Sequence, residues 1–113
     1  MNATAYYVYI LASRRHGTLY IGVSNDLCNR LTLHHSGRGS QFVKKYGVTR
    51  LVYMEIYASP QEAIAREKAL KEWRRDWKIR LIEQENPEWS DLSHLLGRLW
   101  LWAPAFAGAT SLR

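Results

Sequence analysis

One carboxylate, Glu67, falls on the apolar stripe of a helix that the sequence predicts over residues 60–75. That helix opens with Ser59-Pro60-Gln61-Glu62, which supplies an N-cap serine, a proline at the first helical position and a capping-box glutamate. Counting in threes and fours, Ala63, Glu67, Leu70 and Trp77 share one face, with Ile64 flanking and Trp73 beside it. Arg66, Lys68, Lys71, Arg75 and Lys78 fall mostly on the solvated side. An unpaired buried carboxylate is costly, so Glu67 calls for a cation, a hydrogen-bond network or a raised pKa. Two readings follow from the residues alone. Glu67 forms a buried salt bridge with Arg30 or Arg74, or it is a metal ligand whose phosphate is shared with tyrosines and an arginine upstream.

The elements that must position these groups are legible as alternating patterns. Residues 6–12 are aromatic, β-branched and apolar on both faces, as in a central strand. A polar turn from Ser13 to Gly17 leads to a second strand, Thr18 to Val23, so that the two form an antiparallel hairpin. Asn25 or Asp26 then caps a helix carrying Leu27, Leu31 and His34, which Gly37 stops. Cys28, the single cysteine, excludes an intramolecular disulfide and is expected to pack as a small apolar residue. A basic loop at residues 36–40 precedes a short helical piece at Gln41 to Lys45. A third strand spans Leu51 to Tyr57, with Val52, Met54 and Ile56 on one side and Leu51, Tyr53, Glu55 and Tyr57 on the other. The long helix follows, then a second helical stretch from Asp76 to about Glu85 that Asn86-Pro87 ends. The composition shifts after Asp91. Residues 1–91 read as one domain and 92–113 as a partly disordered appendage, with Trp100 and Trp102 available for docking.

Charge narrows the class of partner. The net charge is +6, and residues 1–50 hold seven Lys or Arg against one acid, Asp26. The remaining 63 residues hold nine of each sign, so the whole excess lies in the first half with His16, His34 and His35. A one-sided basic surface suits a polyanion, above all nucleic acid. No signal peptide is visible, and the apolar stretch from Leu95 to Ala109 is too short for a membrane span and contains Arg98 and Pro104. The expected setting is cytoplasmic, with no membrane partner.

Tyrosines at 9 and 20, arginine at 30 and glutamate at 67, on elements in the order β-β-α-(α)-β-α-α, together resemble the GIY-YIG nuclease superfamily, in particular its small stand-alone bacterial proteins. The second half of the signature is literal, Tyr20-Ile21-Gly22. The first appears as Tyr7-Val8-Tyr9, with tyrosine in place of glycine and valine in place of isoleucine. Arg30 lies ten residues after Tyr20, His34 one helical turn beyond, and Asn86-Pro87-Glu88-Trp89 closes the region of resemblance, about residues 5–91.

The resemblance implies an α/β (α+β) fold with a three-stranded antiparallel sheet flanked by helices, and phosphodiester hydrolysis with one divalent cation, Mg²⁺ or Mn²⁺. It implies that Glu67 holds the metal and Arg30 the phosphate, and that Tyr20 or Tyr9 takes a proton from the attacking water. His34 would hydrogen-bond that phenol or the phosphate, and Asn86 would orient substrate or Glu67, unless it serves as the helix-ending residue before proline. Arg38, Lys44 and Lys45 would contact the DNA backbone, whereas His16 and His35 read as solvated groups or phosphate contacts. The expected protein is an endonuclease on DNA or RNA. It would select structure rather than base sequence, in repair or recombination, alone, as a homodimer or with a repair-protein partner. The reading from a different class is a nucleic-acid-binding module of a repair complex with little or no turnover.

Overall fold

The computed structural model describes residues 4–38 and 40–96. Strand β1 (Tyr6–Ala12) occupies the centre of a three-stranded antiparallel sheet, with β2 (Leu19–Ser24) on one side and β3 (Arg50–Tyr57) on the other. Helices α1 (Leu27–His35) and α2 (Gln41–Tyr46) connect β2 to β3, and α3 (Pro60–Glu72) and α4 (Arg75–Glu85) follow. A 3₁₀ turn follows at Leu92–His94. The fold is the α+β arrangement that the sequence predicts, element for element.

The period of two along β1 sends its side chains to two cores. One face holds Tyr9 and Leu11 with Leu27 and Leu31 of α1, Val43 of α2, Met54 and Ile56. The other holds Val8, Ile10 and Ala12 with Ala63 and Leu70 of α3, Ile82 of α4, and Trp89. Burying Leu70 completely contributes about 1.5–3 kcal/mol. Leu92, Leu95 and Leu96 pack against the first core, so residues 92–96 join the body. The rest of the expected appendage, with Trp100 and Trp102, lies outside the described residues.

Three local expectations are corrected. Simple alternation along β3 fails because the register slips between Ile10 and Leu11. Ile10 pairs with Tyr53 but Leu11 pairs with Leu51, which leaves Val52 as the extra residue of a bulge. Leu51 therefore shares a core with Met54, and Val52 shares one with Tyr53. The apolar stripe of α3 does not continue to Trp77, because Trp73 and Arg74 are both extended (φ −64°, ψ 150°) and break the helix. Ile64 and Trp77 are exposed. Cys28 is exposed on α1.

Arg66, expected in solvent, instead forms a fork with Glu55, Nε to Oε1 at 3.0 Å and Nη2 to Oε2 at 2.9 Å. Glu55 is 2% exposed and also accepts from the hydroxyls of Tyr53 and Tyr57 at 2.6 and 2.7 Å. Burial pushes its carboxyl up, but the bonds from Arg66, Tyr53 and Tyr57 outweigh burial and hold it below the ordinary value. Burial and the bond to Glu55 push the Tyr57 phenol up to about 12.

The β1–β2 turn is tied to α4. Arg75 Nη2 donates to the carbonyls of His16 and Gly17 at 2.7 Å each. His16 has left-handed backbone (φ 57°), and its ring nitrogen lies 2.8 Å from Glu83, which accepts from Trp89 Nε1 at 2.7 Å. The His16 ring is exposed and also contacts Glu83.

Candidate active site

Pairing places Tyr9 directly opposite Gly22, with Tyr20 two residues along on the same face of β2. The Tyr9 and Tyr20 rings lie 6.4 Å apart, tilted by 44°. Gly22 has ordinary backbone for a strand and is required for space. A Cβ there would stand 2.5 Å from both Cζ and Oη of Tyr9. Tyr9 is 1% exposed and cannot swing away without opening the core. Gly22→Ala is therefore expected to displace the Tyr9 hydroxyl. The result is a fall of about 10²-fold in kcat and about 1–3 kcal/mol of stability lost to overpacking, read by single-turnover cleavage and denaturant melts.

Helix α1 supplies the next two groups. Asp26 caps it by accepting from the Asn29 amide at 3.2 Å, and Leu27 and Leu31 turn one face inward, which carries His34 in with them. The His34 ring packs edge-on to Tyr20 at 5.6 Å and lies 6.5 Å from Tyr9. His34 is 3% exposed, and neither ring nitrogen has a hydrogen-bond partner among the described residues. Burial, then the charge of Arg30 and the nearby His35, lower its pKa, so the imidazole is neutral at pH 7, with one donor and one acceptor to offer. Buried polar atoms are almost always satisfied, so these two nitrogens call for a water or ligand partner. Arg30, one turn earlier, is exposed, makes no ion pair among the described residues, and lines a shallow cavity with Tyr6, Val23, Pro60 and Ile64.

Glu67 comes from the opposite layer. α3 lies against β1 and β2, and β2 is an edge strand of the sheet. The Glu67 side chain is 12% exposed, and its ion pair is with Lys71, 2.5 Å away, rather than with Arg30 or Arg74. Tyr20, Arg30 and Glu67 all act on the ionisation of the Tyr9 phenol. Burial raises its pKa most, then Tyr20; Arg30 opposes this and Glu67 adds to it. Tyr9 accordingly stays protonated and is a hydrogen-bond donor. Tyr20 is the more accessible of the two phenols.

Other candidates lie elsewhere. Asn86 spends its amide on structure. It donates to the carbonyls of Val52 at 3.1 Å and Ser90 at 2.9 Å and accepts from the Ser90 amide at 3.0 Å. Arg38 is exposed after α1, and Lys44 and Lys45 are exposed on α2. His35 bonds the Thr49 carbonyl at 2.9 Å. Sequence reasoning missed Phe42, whose ring lies 6.2 Å from Tyr20, and the steric role of Gly22. The signal for Phe42 was present, since Phe42 and Tyr46 share one face of a helix too short to bury both.

The donors near the site are a carboxylate and phenols, which are hard oxygen ligands. Among the described residues no group of three or more His, Cys, Asp or Glu gathers to hold a metal. A carboxylate with oxygen neighbours fits a hard cation that keeps most of its waters.

The family model of the GIY-YIG catalytic domain matches residues 5–80. The chain belongs to the GIY-YIG family, a nuclease family whose members act on nucleic acid and generally use divalent metal ions. It is similar to a UPF0213 protein of Staphylococcus aureus, 35% identical over 80 residues that make up 71% of this chain and 96% of the relative. A UPF0213 protein of Staphylococcus saprophyticus is 33% identical over 79 residues, 70% of this chain and 95% of the relative. The solution NMR structure of a UPF0213 protein from Bacillus halodurans aligns with a TM-score of 0.50 at 30% identity, covering 80% of this chain and 96% of that one. Among the described residues, no helix is long and apolar enough to cross a membrane.

Proposed function

We propose that this chain is a metal-dependent endonuclease that hydrolyses DNA phosphodiester bonds, selects DNA by structure, and serves repair or recombination in the cytoplasm. The observation that supports this reading is the cluster of the Tyr9 and Tyr20 rings beside a buried histidine whose ring nitrogens are unpartnered among the described residues, with the charges of Arg30 and Glu67 acting on the Tyr9 phenol. Glu67 would hold the cation, Mg²⁺ or Mn²⁺, which when bound supplies charge to offset that of the scissile phosphate and the leaving oxygen.

The protein's own groups do the rest. The Arg30 guanidinium, exposed and unpaired among the described residues, grips phosphate oxygens as charge builds on them. The protonated Tyr9 phenol donates a hydrogen bond that fixes the phosphate or the attacking water. Tyr20 takes the proton of that water, and neutral His34 has an acceptor nitrogen to which Tyr20 can pass it. Arg38, Lys44 and Lys45 hold the DNA backbone, and Asn86 keeps the end of α4 on β3 rather than touching substrate. With no recognition helix among these elements, shape rather than base sequence is read.

Labelled branched DNA, incubated with Mg²⁺ or Mn²⁺ and with chelator, tests the reading. Cleavage that requires metal and stops with chelator, while binding persists, supports the enzyme. Binding without cleavage under every metal and substrate establishes the binding module instead.

A further inference from the structure

Phe42 and Tyr46 stand one turn apart on α2 and are 41% and 47% exposed. The packing of α2 does not need them, because Val43 and Val48, 1% and 0% exposed, anchor it to the core. Ser40 caps one end by accepting from the Phe42 amide at 3.1 Å, and Gly47, in left-handed backbone at φ 62°, closes the other. Two large rings are thus held in water on a fixed support. Their arrangement is a row. The Phe42 ring lies 6.2 Å from Tyr20 at an interplanar angle of 30°, and 4.8 Å from Tyr46 at 49°. The row begins at a phenol of the active site and runs outward. Cations accompany it: the Lys45 ammonium lies 5.3 Å over the Tyr46 ring, and Lys44 and Arg38 are exposed.

We infer that Phe42 and Tyr46 form a stacking platform for unpaired nucleotides of DNA, leading to the phosphate held beside Tyr20. Every base offers a π-face to such rings, and flanking lysines neutralise the backbone between bases. Paired bases are already stacked inside a duplex and gain nothing from exposed aromatics. The substrate therefore carries a single-stranded flank next to the bond that is cut. The cations beside the rings select a polyanion over an apolar protein surface. The position of the cut rests on the nuclease reading above, but the platform can be measured without cleavage.

Fluorescence anisotropy in chelator compares a blunt duplex with the same duplex bearing a short single-stranded flank. The wild-type protein binds the flanked DNA more tightly. The double variant Phe42→Ala/Tyr46→Ala weakens flanked binding by about tenfold or more and leaves blunt binding within about twofold. Lys44→Ala/Lys45→Ala weakens both DNAs alike and flattens the salt dependence. No flank preference in the wild type, or equal loss on both DNAs in the aromatic variant, overturns the platform. Thermal melts check folding; should the double variant unfold, Phe42→Leu on folded protein keeps apolar bulk without a π-face and gives the same reading. Preference for the flank with no cleavage under any metal refutes the nuclease alone, whereas cleavage without the preference refutes the platform alone.

Discussion

Glu67→Gln is expected to lower the cleavage rate by about 10²–10³-fold or more, while Kd for DNA and the melting temperature hold nearly constant. The amide keeps the shape of the side chain and removes the charge, so the loss isolates electrostatics. Stability is spared because the ion pair of Glu67 is an i,i+4 contact with Lys71, whose side chain is 53% exposed. Such pairs contribute about 0.2–0.5 kcal/mol. Lys71 sits on a flexible stem and can swing aside for a divalent cation. Raising Mg²⁺ or Mn²⁺ is expected to recover little activity in Glu67→Gln. Cleavage by this variant within a few fold of wild type would remove Glu67 from the reaction. Single-turnover rates across a metal titration, beside anisotropy and calorimetry, give all three quantities.

Glu55→Ala is expected to destabilise the fold by about 3 kcal/mol, at the lower end of the range for breaking a buried pair, because the Arg66 side chain is 28% exposed. For a domain of this size that corresponds to a fall of roughly 12–24 °C in Tm. The cause is the partners left behind: a guanidinium and the hydroxyls of Tyr53 and Tyr57 lose their shared acceptor. Acid should reveal the same cluster. The Glu55 carboxyl lies below its ordinary value when folded, so the unfolded chain takes up the proton first as pH falls. Its stabilisation is complete above the ordinary carboxylate range and disappears as pH drops through the folded value. Denaturant melts at about pH 7 and about pH 3 should show a wild-type acid loss that Glu55→Gln lacks in part. Equal acid sensitivity in both proteins would show that other carboxylates govern it.

What could be read from residue order follows a physical division. Elements set by periodicity and caps were legible, since Ser59 at α3, Asp26 at α1 and the β-branched run of β1 act within a few residues. Candidates for the site could be named on those elements, because a carboxylate on an apolar stripe and an arginine one turn before a histidine are local patterns. The bulge at Val52 was not, because register depends on a strand some forty residues away. Arg66 was misjudged for the same reason. Its position on α3 looks solvated until Glu55 on β3 rises to meet it. Trp77 left its expected face because two extended residues interrupt a sequence with good helical character throughout.

The clamp of Arg75, Glu83 and Trp89 on the β1–β2 turn bears on synthesis at the ribosome. The hairpin that bears both tyrosines emerges early, yet its turn is anchored by residues made some sixty to seventy positions later. A nascent polypeptide truncated before Arg75 would carry every group assigned to hydrolysis but lack the anchor of the hairpin that bears the two tyrosines, so competence to cut arrives after the signature residues rather than with them.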